Sequence, residues 1–531
     1  MKKNVIINLV IVIVVALVLY YLLLPPINLT SPAFWSYLFI LIFVYFVLNL
    51  SNVVIRNHKL IFENNFKVPL YLFLGSFVVF IGILIINFIV SPVFNSKAYA
   101  KRIAINEDGD FVNDVKIVNF NETPLLDKDS SIKLGDRVMG EMTDLVSQFS
   151  VSDLYTQINY NNDIVRVTPL EYSGVIKYFT NRSKGVRGYI TVNSVNGDTK
   201  LVKLDNGMRY MPSAMFNEKL SRKLRFSYPT KIFGEASFEL DNEGNPYWIV
   251  PTIKYVGVGM REEIDGVVIL NPINGKSKKY DIDNIPSWVD HAYSADLILE
   301  QVNDWGKYKK GFINSIFGQK NVVATTKGYN YIVMDDDVYL YTGITSVIAD
   351  ESNLGFILTN MRTKETIFYS VAGAEEYSAM ASAEGQVQQM NYTSTFPLLI
   401  NLNNKPTYLV SLKDNAGLVK MYGFVDVQNY QRVVVTDASE GITKAAQNYL
   451  KGSKEQIDES TVKSKEITIN TITSVYMEGD TYYYIKDMDH KKYKVSIKVD
   501  SDNLPFYTKG SKIKISYLEE KDVTEIIKIS G

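Results

Sequence analysis

Chemistry in this chain would have to start from few residues. Its 531 residues include three histidines, His58, His291 and His490, and no cysteine. No histidine has a second one at i+3 or i+4, so the H-E-x-x-H zinc pattern is absent. The lack of thiols rules out a disulfide frame and any Cys-ligated zinc. Neither G-x-S-x-G nor a P-loop occurs. A serine triad would have to use His291 or His490, and neither stands near a nucleophile turn. A glycosidase-type carboxylate pair needs only two acids at the right separation in space, and nothing marks such a pair. Asp335, Asp336 and Asp337 stand in a row, but strand alternation would split them onto two faces and EF-hand spacing is missing. A solvated hairpin turn is expected there. The expectation is a non-enzymatic chain with no cofactor, no catalytic residue and no metal site.

Candidate partner-binding residues are aromatic. Trp288, Tyr293, Trp305 and Tyr308 lie close together in the sequence. They could form an exposed platform, since such residues are enriched at binding hot spots, or pack between neighbouring units. Tyr482, Tyr483 and Tyr484 alternate faces on a strand, so at least one is exposed. Tyr483 with Lys486, Lys491 and Lys492 could hold a polymer chain. The net charge of −1 argues against a dedicated nucleic-acid binder, which leaves a glycan or a protein strand. The basic run Lys219, Arg222, Lys223 and Arg225 reads as a solvated helix face.

The elements that position these residues begin with three apolar runs, Asn4–Leu24, Ala33–Leu50 and Val68–Val90, each near the ~20 residues that cross a bilayer as a helix. The first is longer than a signal-peptide core and has no small-x-small cleavage site after it. Lys2 and Lys3 precede the first run, the first loop has no basic residue, and the second holds Arg56, Lys59 and Lys67. The positive-inside rule then places the N-terminus and second loop in the cytoplasm, and everything after Val90 outside. No Asp, Glu, Lys or Arg interrupts the runs, which reads as an anchor rather than a transport path.

The outer part repeats itself. "FELDNEGNPYWIV" at Phe238 and "LLINLNNKPTYLV" at Leu398 spell the same hairpin, their prolines 406 − 246 = 160 residues apart. "GYITVNSVNGDTKLVKL" at Gly188 matches "GFILTNMRTKETIFYSV" at Gly355, and "DGVVILNPINGKSKKY" at Asp265 matches "YGFVDVQNYQRVVV" at Tyr422. Matching landmarks in one order indicate a duplicated antiparallel α+β unit, about 164–280 and 338–435. Each copy has a helix candidate, Pro212–Leu224 and Ala374–Met390, to cover one face of its sheet. Upstream, Asp136 reads as the cap of a helix carrying Val138, Met142, Leu145 and Phe149. Downstream, Ser294 caps a helix to about Asp304.

A helix, a hairpin ending in "PYWIV" and the turn "VVILNPINGK" resemble the PepSY module of Gram-positive envelope proteins. The family favours Asp where this chain has Asn271; "FVDVQNYQ" keeps Asp426 but lacks the Gly. The resemblance covers about 60 residues per copy. It implies a helix on antiparallel strands that binds or restrains envelope partners, and it brings no catalytic motif.

The tail from Lys463 reads as about five strands, with "KGSKIKISY" before the last, as in small OB-like or SH3-like barrels. The expected organisation is an anchor (1–94), a juxtamembrane segment (95–163), a first α+β repeat (164–280), an aromatic-rich insertion (281–337), a second repeat with a helix (338–452), a linker (453–462) and a barrel (463–531). The expected function is a membrane-anchored, extracytoplasmic binding or scaffold protein of a Gram-positive-type envelope. Its partner would be an envelope protein or wall polymer, and a homo-oligomer fits. A homo-oligomeric surface or secretion assembly and a cell-wall glycan enzyme are the alternatives.

Overall fold

Uncharged apolar runs satisfy their backbone only as helices, and three do so in the computed structural model. It describes residues 2–50, 53–56, 59–62, 64–141, 145–334, 336–347, 352–452, 463–477, 480–518 and 523–530. Helices α1 (Lys2–Leu23), α2 (Pro32–Leu48) and α3 (Asn64–Val90) stand side by side, with the hairpin β1 (Val53–Arg56) and β2 (Lys59–Phe62) before α3. They alternate in direction. Asn8 in α1 donates to the Leu48 carbonyl of α2 (3.1 Å), Tyr37 of α2 donates to the Ala16 carbonyl (3.0 Å), and Phe46 stacks on Phe73 of α3 (4.5 Å). Ile6–Leu23 and Phe66–Val90 are long and apolar enough to cross a membrane. The expectation of three spans is corrected to two. Helix α2 has 17 residues, bounded by Pro32 in its first turn and Asn49 at its C-cap. At ~1.5 Å per residue it reaches about 25 Å, short of a ~30 Å hydrocarbon core.

Next come α4 (Pro92–Ala100), β3 (Ile105–Gly109), α5 (Phe111–Asp114) and α6 (Lys128–Gly140). Asp136 lies inside α6; the cap is Asp127, whose carboxylate accepts from the Ser130 N–H (3.0 Å). The expected helix ends earlier than read: Phe149 opens a strand, and Met142 lies outside the described residues.

From Phe149 one plan recurs four times. The first unit is β4 (Phe149–Val151), β5 (Thr156–Tyr160), β6 (Asp163–Tyr172), a short α7 (Val175–Asn181), β7 (Val186–Asn193) and β8 (Thr199–Met208). Helix α8 (Leu220–Ser227) leads to β9 (Ile232–Phe233), β10 (Ser237–Leu240), β11 (Pro246–Val256), β12 (Arg261–Leu270) and β13 (Ser277–Tyr280). Helix α9 (Ala295–Tyr308) leads to β14 (Val323–Thr325), β15 (Asn330–Met334), β16 (Asp337–Ser346), β17 (Ser352–Asn360), β18 (Thr366–Tyr369) and the short β19 (Gly373–Ala374). Helix α10 (Glu376–Gly385) leads to β20 (Thr393–Ser394), β21 (Leu398–Leu402), β22 (Lys405–Lys413), β23 (Val419–Asp426) and β24 (Val433–Asp437), and α11 (Ile442–Gly452) follows. In every unit two short strands pair end to end along one long strand, which pairs with a third, which pairs with a fourth.

The same turn joins the last two strands each time. The side-chain oxygen of Asn193, Asn271, Asn360 or Asp426 accepts from the N–H groups two and three residues on, at 2.9–3.2 Å. Such Asx turns hold the backbone where the chain must reverse. Each expected repeat therefore contains two units. The segment 281–337 is not an insertion: it is α9 with the opening strands of the third unit. The covering helices also start later than expected, at Leu220 and Glu376.

Strand alternation distributes the cores. Trp248, Val250, Val268 and Leu270 face the first sheet across α8, while Ile249, Val267 and Ile269 face α9 and the third sheet. Val338, Leu340 and Ile357 share that second core, whereas Tyr341, Phe356 and Leu358 turn to α10 and the fourth sheet. Leu398, Ile400 and Leu402 turn away toward α11. The second, third and fourth sheets are thus buried on both faces, and each unit shares a core with its neighbour.

The segment before α6 fastens the first unit to the fourth. Val118 N–H donates to the Asn401 carbonyl (2.8 Å), Leu125 N–H to Ser194 (2.9 Å), Ser411 Oγ to Leu125 (3.0 Å), and Lys413 Nζ lies 2.5 Å from the Asp127 carboxylate.

The C-terminal strands β25 (Lys463–Met477), β26 (Asp480–Asp487), β27 (Lys492–Ser496), β28 (Lys512–Leu518) and β29 (Thr524–Ser530) pair in the cyclic order β25-β26-β27-β29-β28, around Ile469, Val495 and Ile515. The expected linker 453–462 lies outside the described residues.

Candidate functional site

Two features combine unusual burial with polar chemistry. The first is the joint between body and apolar helices. A helix leaves its last carbonyls unpaired and carries partial negative charge there. At the end of α1 two arginines of α8 supply the donors. Arg225 Nε donates to the Leu24 carbonyl (2.9 Å) and its guanidinium to the Lys231 carbonyl (2.5 Å). Arg222 donates to the Phe216 carbonyl (2.6 Å) and lies over the Tyr21 ring, 4.0 Å from its centroid. Both are buried, which corrects the solvated-face reading for the two arginines, while Lys219 is exposed as expected. Nearby, Ile27 N–H donates to the Pro229 carbonyl (2.8 Å). On the other side the turn between β11 and β12 sits on α3: Asn87 donates to the Val258 carbonyl (3.0 Å) and accepts from its N–H (2.8 Å), while Gly259 N–H donates to Thr30 (3.0 Å). The same ends of α1 and α3 therefore meet the body. Helix α4 locks on α9 through Arg102, whose fully buried guanidinium contacts Glu300 (2.5 Å), Asp304 (2.6 Å) and the Glu262 carbonyl (2.8 Å).

The second feature is a cleft where the first three units meet. Two adjoining hollows of about 410 and 180 Å³ share Glu235, Pro251, Ser294 and Asp296 in their walls. The larger adds Glu262 and Glu300. Ser294 caps α9 through Leu297 N–H (3.3 Å), which fixes the first turn that carries Asp296. Burial raises the Glu262 carboxyl above its ordinary value, and Glu300 raises it further against the opposing Tyr255 hydroxyl. Glu300 is already paired with Arg102 (2.5 Å), so the pull on a cationic guest comes from Glu235, Glu262 and Asp296.

Behind the smaller hollow lies a buried polar seam. Glu239 accepts from the Asp290 and His291 N–H groups (2.8 and 3.1 Å), and Asp290 accepts from Asn159 N–H (2.8 Å). Burial pushes both carboxyls up, Asp290 strongly, and the Glu239 charge pushes Asp290 further. His291 Nε2 donates to the Gln157 carbonyl (2.7 Å), since a carbonyl only accepts. Arg166, opposite Gln157 in the ladder, is buried with no ion pair among the described residues, and burial brings it down to about 10. Neither Glu239 nor Asp290 lines either of these two hollows, and no cluster of three His, Asp or Glu among the described residues is placed to hold a metal.

The candidate aromatics do not form an exposed platform; Tyr293 and Trp305 pack in the core between the second and third units, as the other reading has it. Tyr293, Trp305 and Tyr308 are buried, and Trp288 packs half-buried on Tyr247 (5.2 Å). Trp305 and Tyr308 ride on α9, an amphipathic helix that needs a core on one face, and the second and third sheets provide it. Tyr293 lines the smaller of the two hollows. Tyr483 is half-buried against the core of the C-terminal strands. The aspartate run falls where β15 and β16 pair as a hairpin, as expected: Asp336 is exposed there and accepts from Asn159 (2.8 Å), Asp337 opens β16 and binds Arg362 (2.6 Å), and Asp335 lies outside the described residues. Sequence reasoning missed the joint arginines and the cleft acids. The one available signal for the former was an i, i+3 arginine pair flanked by Leu220 and Leu224, which places it beside an apolar stripe.

No family model matches the chain, and neither does any curated protein.

Proposed function

We propose that the chain is a non-enzymatic, membrane-anchored binding or scaffold protein whose body stands outside the cytoplasmic membrane of a Gram-positive-type envelope. The observation that carries this reading is the joint: buried arginines and backbone hydrogen bonds hold the body against the same ends of two lipid-compatible helices. A body held so presents its cleft at a fixed height and orientation above a bilayer. The basic residues of the N-terminus and second loop support the outward orientation. The recurrent helix-and-hairpin plan supports the PepSY likeness and with it a binding role, and the cyclic pairing of the last strands supports a small OB-like or SH3-like module.

The partner is an envelope protein or wall polymer that offers a cationic group, such as an amine or guanidinium, to Glu235, Glu262 and Asp296.

The chain's lack of cysteine makes sidedness directly measurable. Lys67→Cys, at the end of α3 away from the body, and Phe506→Cys are introduced singly and exposed to a membrane-impermeant maleimide on intact, wall-stripped cells. Phe506→Cys is expected to label and Lys67→Cys to label only after lysis. The opposite pattern sinks the proposal.

A further inference from the structure

Large apolar side chains exposed on a soluble body call for a partner. Outside the apolar helices, two groups of them stand out, and both lie at the helix-bearing end. Ile176 of α7 is 74 % exposed, and Phe179 beside it meets Phe216, ring centroids 6.1 Å apart. This group adjoins the end of α1: Tyr178 donates to the Met215 carbonyl, and the next residues reach α1 through Asn217 and Tyr21 (3.4 Å).

The second group is Ile313 and Phe317, on the short helical segment after α9, with Phe317 84 % exposed. Its place follows from helix direction. Arg102 meets Glu300 and Asp304, whereas the earlier Tyr99 meets the later Tyr308 (6.1 Å). Helices α4 and α9 are therefore antiparallel. The start of α4, one residue beyond α3, points to the end of α9 where Ile313 and Phe317 follow. Exposed Lys307, Lys309, Lys310 and Lys320 flank this group, and exposed Lys184 stands near the first.

We propose that these two groups are lipid-docking sites, which dip into the outer leaflet of the bilayer that holds α1 and α3. Anionic headgroups meet the surrounding lysines. Apolar tips within a basic collar, continuous with membrane helices, have the composition of interfacial anchors. The body would then be held at four points, two helices and two dips, and could not tilt on its joint. A protein partner would need no such continuity with both helix ends.

The inference rests on the membrane reading, and one experiment separates the two. Ile176→Cys, Phe317→Cys, Val78→Cys in α3 and Phe506→Cys on the C-terminal module are labelled singly with an environment-sensitive dye. The full chain is reconstituted in nanodiscs of phosphatidylglycerol and phosphatidylethanolamine. Shallow spin-labelled lipid should quench the first two about twofold or more, and iodide should quench them about threefold less than Phe506→Cys. Iodide quenching of Ile176→Cys and Phe317→Cys at the Phe506→Cys level, with Val78→Cys still quenched by lipid, overturns the docking sites alone. Loss of lipid quenching at Val78→Cys overturns the membrane reading and this inference with it.

Discussion

At the scale of single residues, the molecule buries two carboxyls where backbone N–H groups converge on them. Glu239 and Asp290 share one buried seam, with His291, Asp336 and Asp337 as the other ionisable groups around them. Their carboxyls are raised in the folded state, so the native form holds protons more tightly than the unfolded chain. Such stability is complete below the unfolded value near pH 4 and is lost as pH rises through the folded value. Asp290→Asn keeps an oxygen to accept from Asn159 N–H and removes the charge. The variant is expected to melt above the parent at pH 8, by roughly 2–4 °C, and the gap should close toward pH 4. Melting curves at both pH values check this; a gap that widens on acidification contradicts it. None of this seam was legible in the sequence. Glu239, Asp290 and Arg166 are far apart in the chain, and nothing local distinguishes a buried acid from a solvated one.

At the scale of the element, the four units depend on one recurring strand geometry. Gly188, Gly266 and Gly355 each sit five residues before the Asx turn, in the strand that leads into it. A Cβ at Gly266 would fall 2.1 Å from the Tyr280 carbonyl oxygen, and its φ of +144° is one that other residues rarely adopt. Gly266→Ala is expected to cost about 2–3 kcal/mol, readable as a lower denaturant midpoint with an unchanged slope. Removing only the turn acceptor in Asn271→Ala should cost less, about 1 kcal/mol. The glycine, the Asn or Asp and the polar turn were all visible in the sequence, which is why the order of landmarks was readable. The period was not. The first unit of each pair lacks the Asn- and Pro-containing hairpin spelling, and strands buried on both faces lose the apolar–polar alternation that would have marked them separately. The second apolar run was misjudged for a different reason. Composition alone cannot show that Pro32 and Asn49 stop its helix at 17 residues.

At the scale of the whole molecule, the clasp between first and fourth units decides how the body fails. Burial raises the Asp127 carboxyl, but hydrogen bonds from Lys413 and Ser130 outweigh that and hold it below the usual carboxylate range. Its contribution is present above the unfolded value and is lost as pH falls through the folded one. Lys413→Met is therefore expected to destabilise the body by about 1.5–3 kcal/mol at neutral pH and by less near pH 3. Hydrogen exchange should show α6 and β22 loosening together; loosening of one alone would refute the coupling. The clasp also bears on how such a chain can change over generations. An open array lengthens by copying a module onto a free end. Here both ends of the series are taken, so a fifth module would push Asn401 and Lys413 beyond the reach of residues 118–127. The number of modules is closed to further duplication, and variation must fall on loops and surfaces instead.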